Sequence, residues 1–281
     1  MYCAGFQRRK ASLPDGSTWG DRAVLGASVR AFTLIELLVV VAIIGVLAGI
    51  GLPALKGFGS SNALSAAASQ LKDDLALARQ TAMNQRSDVY VLFVGPEALT
   101  TSWPTLVTQA DKNIARRLLN SQYTSYALYS KRQLGDQPGA PRERYLTPWR
   151  NLPEGVFIST NEFDNLSLRT PNLWQQATLT NRPFGFTPAN IRFPTETGPR
   201  VSMAFVGFDY EGRLIKPSGV TANRGDEFIH LVKGTVLPAK NAQGLYDIAP
   251  AEVIETPKNN TTNNPVIQID STTGRGRVVR L

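Results

Sequence analysis

The sequence predicts an α+β protein in which a long amino-terminal helix packs on an antiparallel β head. Three observations carry this reading. From Leu37 to Leu55 no residue is charged, and Val, Ile, Leu and Ala dominate. From Leu64 to Ala82, Leu and Ala recur at three- and four-residue steps. From Val89 onward, short β-prone runs alternate with clusters of Gly, Pro, Asn and Thr to the end of the chain.

The apolar run comes first. A helix needs about 20 mostly apolar residues to cross a bilayer core, so residues 32–55 are long enough to span, and no other stretch of the chain is. Glu36 is the only charge between Phe32 and Lys56. A carboxylate at such a depth costs about 2.5–3.5 kcal/mol, so a partner is expected. Gly45 and Gly49 place small residues on one helix face, which lets helices approach closely. Pro53 removes a backbone bond and is expected to kink the rod near its end. Glycine and proline are also simply frequent in membrane helices, and both readings stand. Before the span, residues 1–31 are basic and have no apolar core of their own, unlike a discarded secretory peptide. Arg22 and Arg30 flank the span on its amino side, whereas Gly57–Gln70 carries no charge. The excess of positive charge places residues 1–31 in the cytoplasm and the head across the membrane.

Ala31-Phe32-Thr33-Leu34-Ile35-Glu36, followed by a hydrophobic run, resembles the processing site of type IV prepilins and pseudopilins, usually Gly-Phe-Thr-Leu-Ile-Glu. The resemblance implies a pilin-like fold and a prepilin peptidase that cuts between Ala31 and Phe32 and methylates the new terminus on Phe32. It also implies Glu36 as the acid used in assembly, an inner-membrane subunit with a periplasmic head, and packing into a filament with other pilin or pseudopilin subunits. In that setting Gly45, Gly49 and Pro53 mark a zone that bends or melts as subunits leave the bilayer. Ala31 stands where the family has Gly, so slower processing is expected. Elementary electrostatics fits the scheme. Cleavage frees an α-ammonium with an ordinary pKa of about 7.7–8.0, and a carboxylate in low dielectric holds it charged. Glu36 of one subunit can then neutralise Phe32 of the next. The alternative is a glutamate that snorkels to the headgroups from one turn inside the apolar run.

Residues 56–86 continue as an amphipathic helix, with Leu64, Ala68, Leu71, Leu75, Ala78 and Ala82 on its buried face. Ser60 or Ser61 is an N-cap if the helix restarts after Gly57–Gly59. Without a restart, one helix from Phe32 to Arg86 would be roughly 80 Å long. The stretch from Ser69 to Phe93, with Ala78, Arg79 and Ala82, resembles the GspH/FimT-like minor pseudopilins, which serve type II secretion or type IV pilus-like machines.

Residues 87–281 form the β-rich head. Strands are expected at Val89–Val94, Tyr123–Tyr129, Val156–Ser159 and Val201–Phe208, with a polar insertion between the first two that holds Trp103, Pro104 and a short helix near Asp111–Asn120. Gly135–Arg150 reads as a surface loop and Asn161–Pro199 as a long excursion rich in Asn, Thr and Pro. Tyr210–Arg213 reads as a turn with Leu214-Ile215 returning. Phe228–Val232 and Thr235–Leu237 read as a hairpin across Lys233-Gly234, and Val266–Ile269 pairs with Arg277–Leu281 across Thr273-Gly274.

Chemistry is sparse in this head. Cys3, the only cysteine, lies in the leader, so residues 32–281 hold no disulfide and no thiolate metal site. His230 is the only histidine and sits mid-strand, which leaves a nucleophilic triad or a metal without its usual imidazoles. Asp209/Glu211 and Asp226/Glu227 lack the ligand count of a calcium loop. No catalytic, cofactor or metal site is expected, and the chain reads as a non-enzymatic structural subunit. The net charge is +8, of which the leader holds +3 and residues 32–281 the other +5. Arg116, Arg117, Lys131, Arg132, Arg142, Arg144 and Arg150 interleave with Tyr123, Tyr126, Tyr129, Tyr145 and Trp149. Such a pattern can track a nucleic acid and stack on its bases, or it can be a solvated face over aromatic core positions. A DNA-capturing minor pilin and a non-polymerising single-span membrane protein are therefore the competing readings.

Overall fold

The computed structural model describes residues 33–137, 139–163, 186–215, 225–256 and 264–280, apart from the side chains of 48–61 and 280. The chain divides into two units, Met1–Gly51 and Leu52–Leu281. Helix α1, Leu34–Gln85, passes through Gly57–Gly59 without restarting at Ser60 or Ser61.

In the first unit, the apolar side chains of α1 from Leu34 to Leu47 are exposed on every side of the helix. A helix that is apolar all round needs a covering of lipid or protein. Among the described residues no helix is long and apolar enough to cross a membrane. The described side chains of the apolar run end at Leu47.

The second unit is α+β, and all its strand pairs are antiparallel. Its strands are β1 (Val89–Phe93), β2 (Ser125–Ser130), β3 (Arg144–Tyr145), β4 (Arg150–Asn151), β5 (Val156–Ile158), β6 (Thr187–Arg192), β7 (Arg200–Phe208), β8 (Glu227–Leu237), β9 (Glu252–Glu255), β10 (Pro265–Ile269) and β11 (Gly276–Arg280). The larger sheet runs β3-β2-β1-β7-β6, with β4 also on β2; the smaller runs β11-β10-β8-β5, with β9 also on β8.

The predicted stripe of α1 is the centre of the main core. Leu71, Ala78 and Ala82 are fully buried, beside Ala67, Ala68 and Leu75, against residues of both sheets. Alanine on this face brings the helix backbone close to the strands. Side-chain alternation then explains the unbroken apolar run of β1. Val89, Val91 and Phe93 face the α1 core, whereas Tyr90, Leu92 and Val94 enter a second cluster on the opposite face of the sheet. In β7, Ala204, Val206 and Phe208 join the first cluster, and Val201, Met203 and Phe205 the second. The second cluster includes Ala98 and Leu99 from α2, Pro96–Ser102, and Leu118 and Leu119 from α3, Gln109–Leu119. Thr108 caps α3 by accepting the amide of Asp111.

Four sequence expectations are corrected. Lys233-Gly234 is not a turn: β8 is extended through it and pairs with β5 on one stretch and β9 on another. A Cβ at Gly234 would lie 2.1 Å from the carbonyl oxygen of Ile254, so this glycine serves close strand approach. The excursion 161–199 contains edge strand β6, paired to β7 along its length. Pro188 is tolerated there because an edge strand need not donate on its open side. The loop 135–150 carries the short strands β3 and β4. Helix α2 fills the start of what reads as a polar insertion, entered from Gly95 with Pro96 in its first turn.

Candidate functional site

The predicted processing site straddles the start of α1. Ala31 and Phe32, and the leader with Cys3, lie outside the described residues. Thr33 and Glu36 are described, and they form a reciprocal cap. Glu36 Oε2 accepts the backbone amide of Thr33 at 2.9 Å and the Thr33 hydroxyl at 2.9 Å. The Thr33 hydroxyl oxygen in turn accepts the Glu36 amide at 3.3 Å. This is the capping box of a Thr-x-x-Glu sequence, a signal present in Thr33-Leu34-Ile35-Glu36 that hydropathy alone does not reveal. The carboxylate also sits in the first turn, where the helix dipole favours negative charge. Each carboxylate oxygen can accept more than one bond, so the cap leaves capacity for an incoming cation.

Around this acid, Leu34 is 81 % exposed and Ile44 58 %. A Cβ at Gly45 would meet no atom within 4 Å, so the helix surface beside it is open. Residues 49 and 53 are helical, and their surroundings lie outside the described residues.

Farther along, polar contacts fix the carboxyl-terminal half of α1 to the head. Asp74 accepts the Tyr126 hydroxyl at 2.6 Å and pairs with Arg150. Gln70 donates to the Tyr126 hydroxyl at 2.8 Å and to the Asn151 carbonyl at 2.9 Å. Burial, joined by the bond to Asp74, pushes the Tyr126 hydroxyl well above its ordinary pKa. Arg79 Nε donates to the carbonyls of Gly212 at 3.1 Å and Thr273 at 2.7 Å, binding two turns of the head to one helix position. Asp74 was findable: it falls three residues from Leu71 and four from Ala78, so a charge on the buried stripe signals a buried partner.

The remaining candidate groups are used internally. His230 Nδ1 lies 2.6 Å from Oε1 of Glu162, a fully buried carboxylate. Asp209 accepts the amides of Glu211 and Arg213 within its turn, and Asp226 accepts Ser271 N and Gln268. Among the described residues no group of three His, Cys, Asp or Glu side chains is placed to hold a metal ion. Tyr123, Tyr126 and Tyr129 are buried. Tyr145 donates its hydroxyl to the Arg192 carbonyl at 2.7 Å, and Trp149 its indole N–H to Pro194 at 3.0 Å. Rings from Tyr129 through Tyr145 and Trp149 to Phe193 contact one another at 5.2, 5.4 and 5.6 Å. The aromatic side chains interleaved with the arginines are thus buried (Tyr123, Tyr126, Tyr129) or packed half-buried against the second cluster (Tyr145, Trp149), and they do not form a stacking platform.

Residues 27–52 match a protein family described as a prokaryotic N-terminal methylation motif. No curated protein and no solved structure matches the chain.

Proposed function

We propose that this chain, type IV prepilin-like by its amino-terminal motif, is a minor pseudopilin of the GspH/FimT-like kind. The motif implies processing by a prepilin peptidase and assembly with other pilin subunits. In this reading, residues 1–31 are a cytoplasmic leader, the peptidase cuts between Ala31 and Phe32, and Phe32 is N-methylated. Residues 32–55 hold the subunit in the inner membrane, 56–86 continue the helix, and 87–281 form a periplasmic head. The assembled filament serves a type II secretion or type IV pilus-like machine, and the role is mechanical.

One observation carries the reading: a single carboxylate, Glu36, lies at the start of a helical stretch, Leu34–Leu47, whose apolar side chains are exposed all round. Such a surface asks for lipid before assembly and for neighbouring helices after it. The acid, capped among the described residues by its own Thr33, has room for the ammonium that cleavage would create on a neighbour.

Mass spectrometry of the membrane fraction tests the proposal. In cells with an active prepilin peptidase, the expected chain begins at Phe32 and carries one extra methyl group; without the peptidase, residues 1–31 remain. Retention of the leader in both would sink the pilin reading and favour a single-span protein that never polymerises.

A further inference from the structure

An open cleft of about 810 Å3 lies where the segment before β3 meets the β6–β7 hairpin. Its charged lining is Arg142, Glu143, Arg144, Arg192, Glu196 and Arg200. Four guanidinium groups therefore face two carboxylates. Both acids are committed within the fold. Glu143 holds Arg200 at 2.7 Å and Arg192 at 3.3 Å, and Glu196 accepts the amide of Tyr145 at 3.1 Å. Behind the cleft, Asp136 shapes the loop by accepting the amides of Gln133 at 2.8 Å and Arg142 at 3.0 Å. Its other oxygen is 3.9 Å from Arg144. With Asp136 counted, cations still exceed acids, and Arg142 makes no ion pair among the described residues.

We propose that this cleft docks an acidic peptide segment of a partner protein, with Arg142 and Arg144 receiving its carboxylates. The planar guanidinium fork matches a carboxylate with two parallel N–H···O bonds. The volume falls in the range of about 300–1,000 Å3 typical of small-ligand sites, room for a few residues of extended chain. A nucleic acid fits the same chemistry less well. Its evenly spaced phosphates would run against Glu143 and Glu196, and among the described residues no aromatic side chain lines the cleft to stack a base. A peptide can place isolated carboxylates at Arg142 and Arg144 and leave neutral backbone beside the two glutamates.

The test uses the full chain in detergent micelles at about 0.15 M salt, where exposed charges are screened beyond about 8 Å. Fluorescence anisotropy follows a labelled alternating glutamate–glycine peptide, and separately a labelled oligothymidylate. Saturable binding of the peptide is expected, weakened about tenfold by Arg142→Ala and further by the Arg142→Ala/Arg144→Ala pair. The pair Arg116→Ala/Arg117→Ala, exposed on α3, keeps wild-type affinity. Arg142 makes no ion pair among the described residues, and Arg142→Ala keeps the backbone amide that Asp136 accepts, so the variant should melt close to the parent, which separates lost binding from lost folding. The proposal is overturned if the peptide does not bind saturably, or if the α3 pair weakens it equally. Tighter binding of oligothymidylate than of the peptide, lost in the same cleft variants, would overturn it in favour of a nucleic-acid site.

Discussion

A glutamine at position 36 would keep one part of Glu36's chemistry and lose the other. Its amide oxygen can still accept the Thr33 amide and hydroxyl, because Gln completes a capping box as Glu does. Its charge is gone, and with it any attraction to a neighbour's ammonium. If the charge is what assembly uses, Glu36→Gln should abolish recovery of the subunit in sheared filaments while membrane levels stay unchanged by immunoblot. Thr33→Ala, which removes the cap and leaves the charge, should cost about 1 kcal/mol of local helix stability and spare assembly. The reverse pattern would make Glu36 a cap alone. Asp88 illustrates a different balance. Burial first, and then the charge of Asp209, raises its carboxyl above the ordinary value. With the folded pKa above the unfolded one, its contribution to stability is fully present below about pH 3.9 and is lost as pH rises through the folded value. Asp88→Asn should therefore raise the melting temperature at pH 7, and the gain should fade as pH falls toward 4.

Among the elements, α1 was the most legible, since a stripe of Leu and Ala at helical spacing admits one reading and all its predicted members fall in or against the main core. Strands β1, β7 and β10 were legible because apolar runs bounded by turn residues are unambiguous over that length. What sequence could not show was which glycines turn and which make room. Gly274, at φ +63°, sits in the β10–β11 turn, whereas Gly234 lies in an extended strand against the Ile254 carbonyl. The two look alike in sequence because the deciding neighbour of Gly234 comes from a strand about twenty residues later. For the same reason β6, poor in β-branched residues, was invisible: it is held by pairing to β7, with no propensity of its own behind it. Gly234→Ala should destabilise the head strongly, since a backbone carbonyl 2.1 Å from the new Cβ cannot swing aside. Amide exchange in β9 should accelerate before that in β10, which pairs with a different part of β8. Arg79→Ala removes two bonds from a charged donor, and about 1–3 kcal/mol of stability should go with them. Arg79→Lys should recover only part of this, because an ammonium on a flexible stem replaces an Nε–H fixed in a planar group between two carbonyls.

Over the whole head, acidic side chains that hold loops set its response to pH. Backbone amides of Arg142 and Gln133 keep the Asp136 carboxyl below its ordinary value, and the amide and hydroxyl of Thr273 do the same for Asp270. At Glu143 burial acts to raise the carboxyl, but bonding to Arg200 and the charges of Arg200 and Arg192 outweigh it, so the result is again a depression. The sign is common to all three. A folded pKa below the unfolded one contributes stability that is present above the unfolded value, about 3.9 for Asp and 4.3 for Glu. That stability is lost as pH falls through the folded value. Asp88, raised where these three are lowered, works in the opposite direction. The melting temperature of the head should therefore hold steady from pH 7 to about 5 and fall below about pH 4. Rising net positive charge would produce a similar decline, so the descent alone does not assign it to these groups. Asp270→Asn separates the two causes. It removes the charge that the Thr272 and Thr273 amides favour while leaving an acceptor in the β10–β11 turn. Its deficit against the parent at pH 7 should shrink as pH falls through the lowered pKa of the parent's own carboxyl, where that group takes up its proton. A deficit independent of pH would mean that the turn depends on the shape of the side chain, and that the charge of Asp270 contributes nothing to the fold.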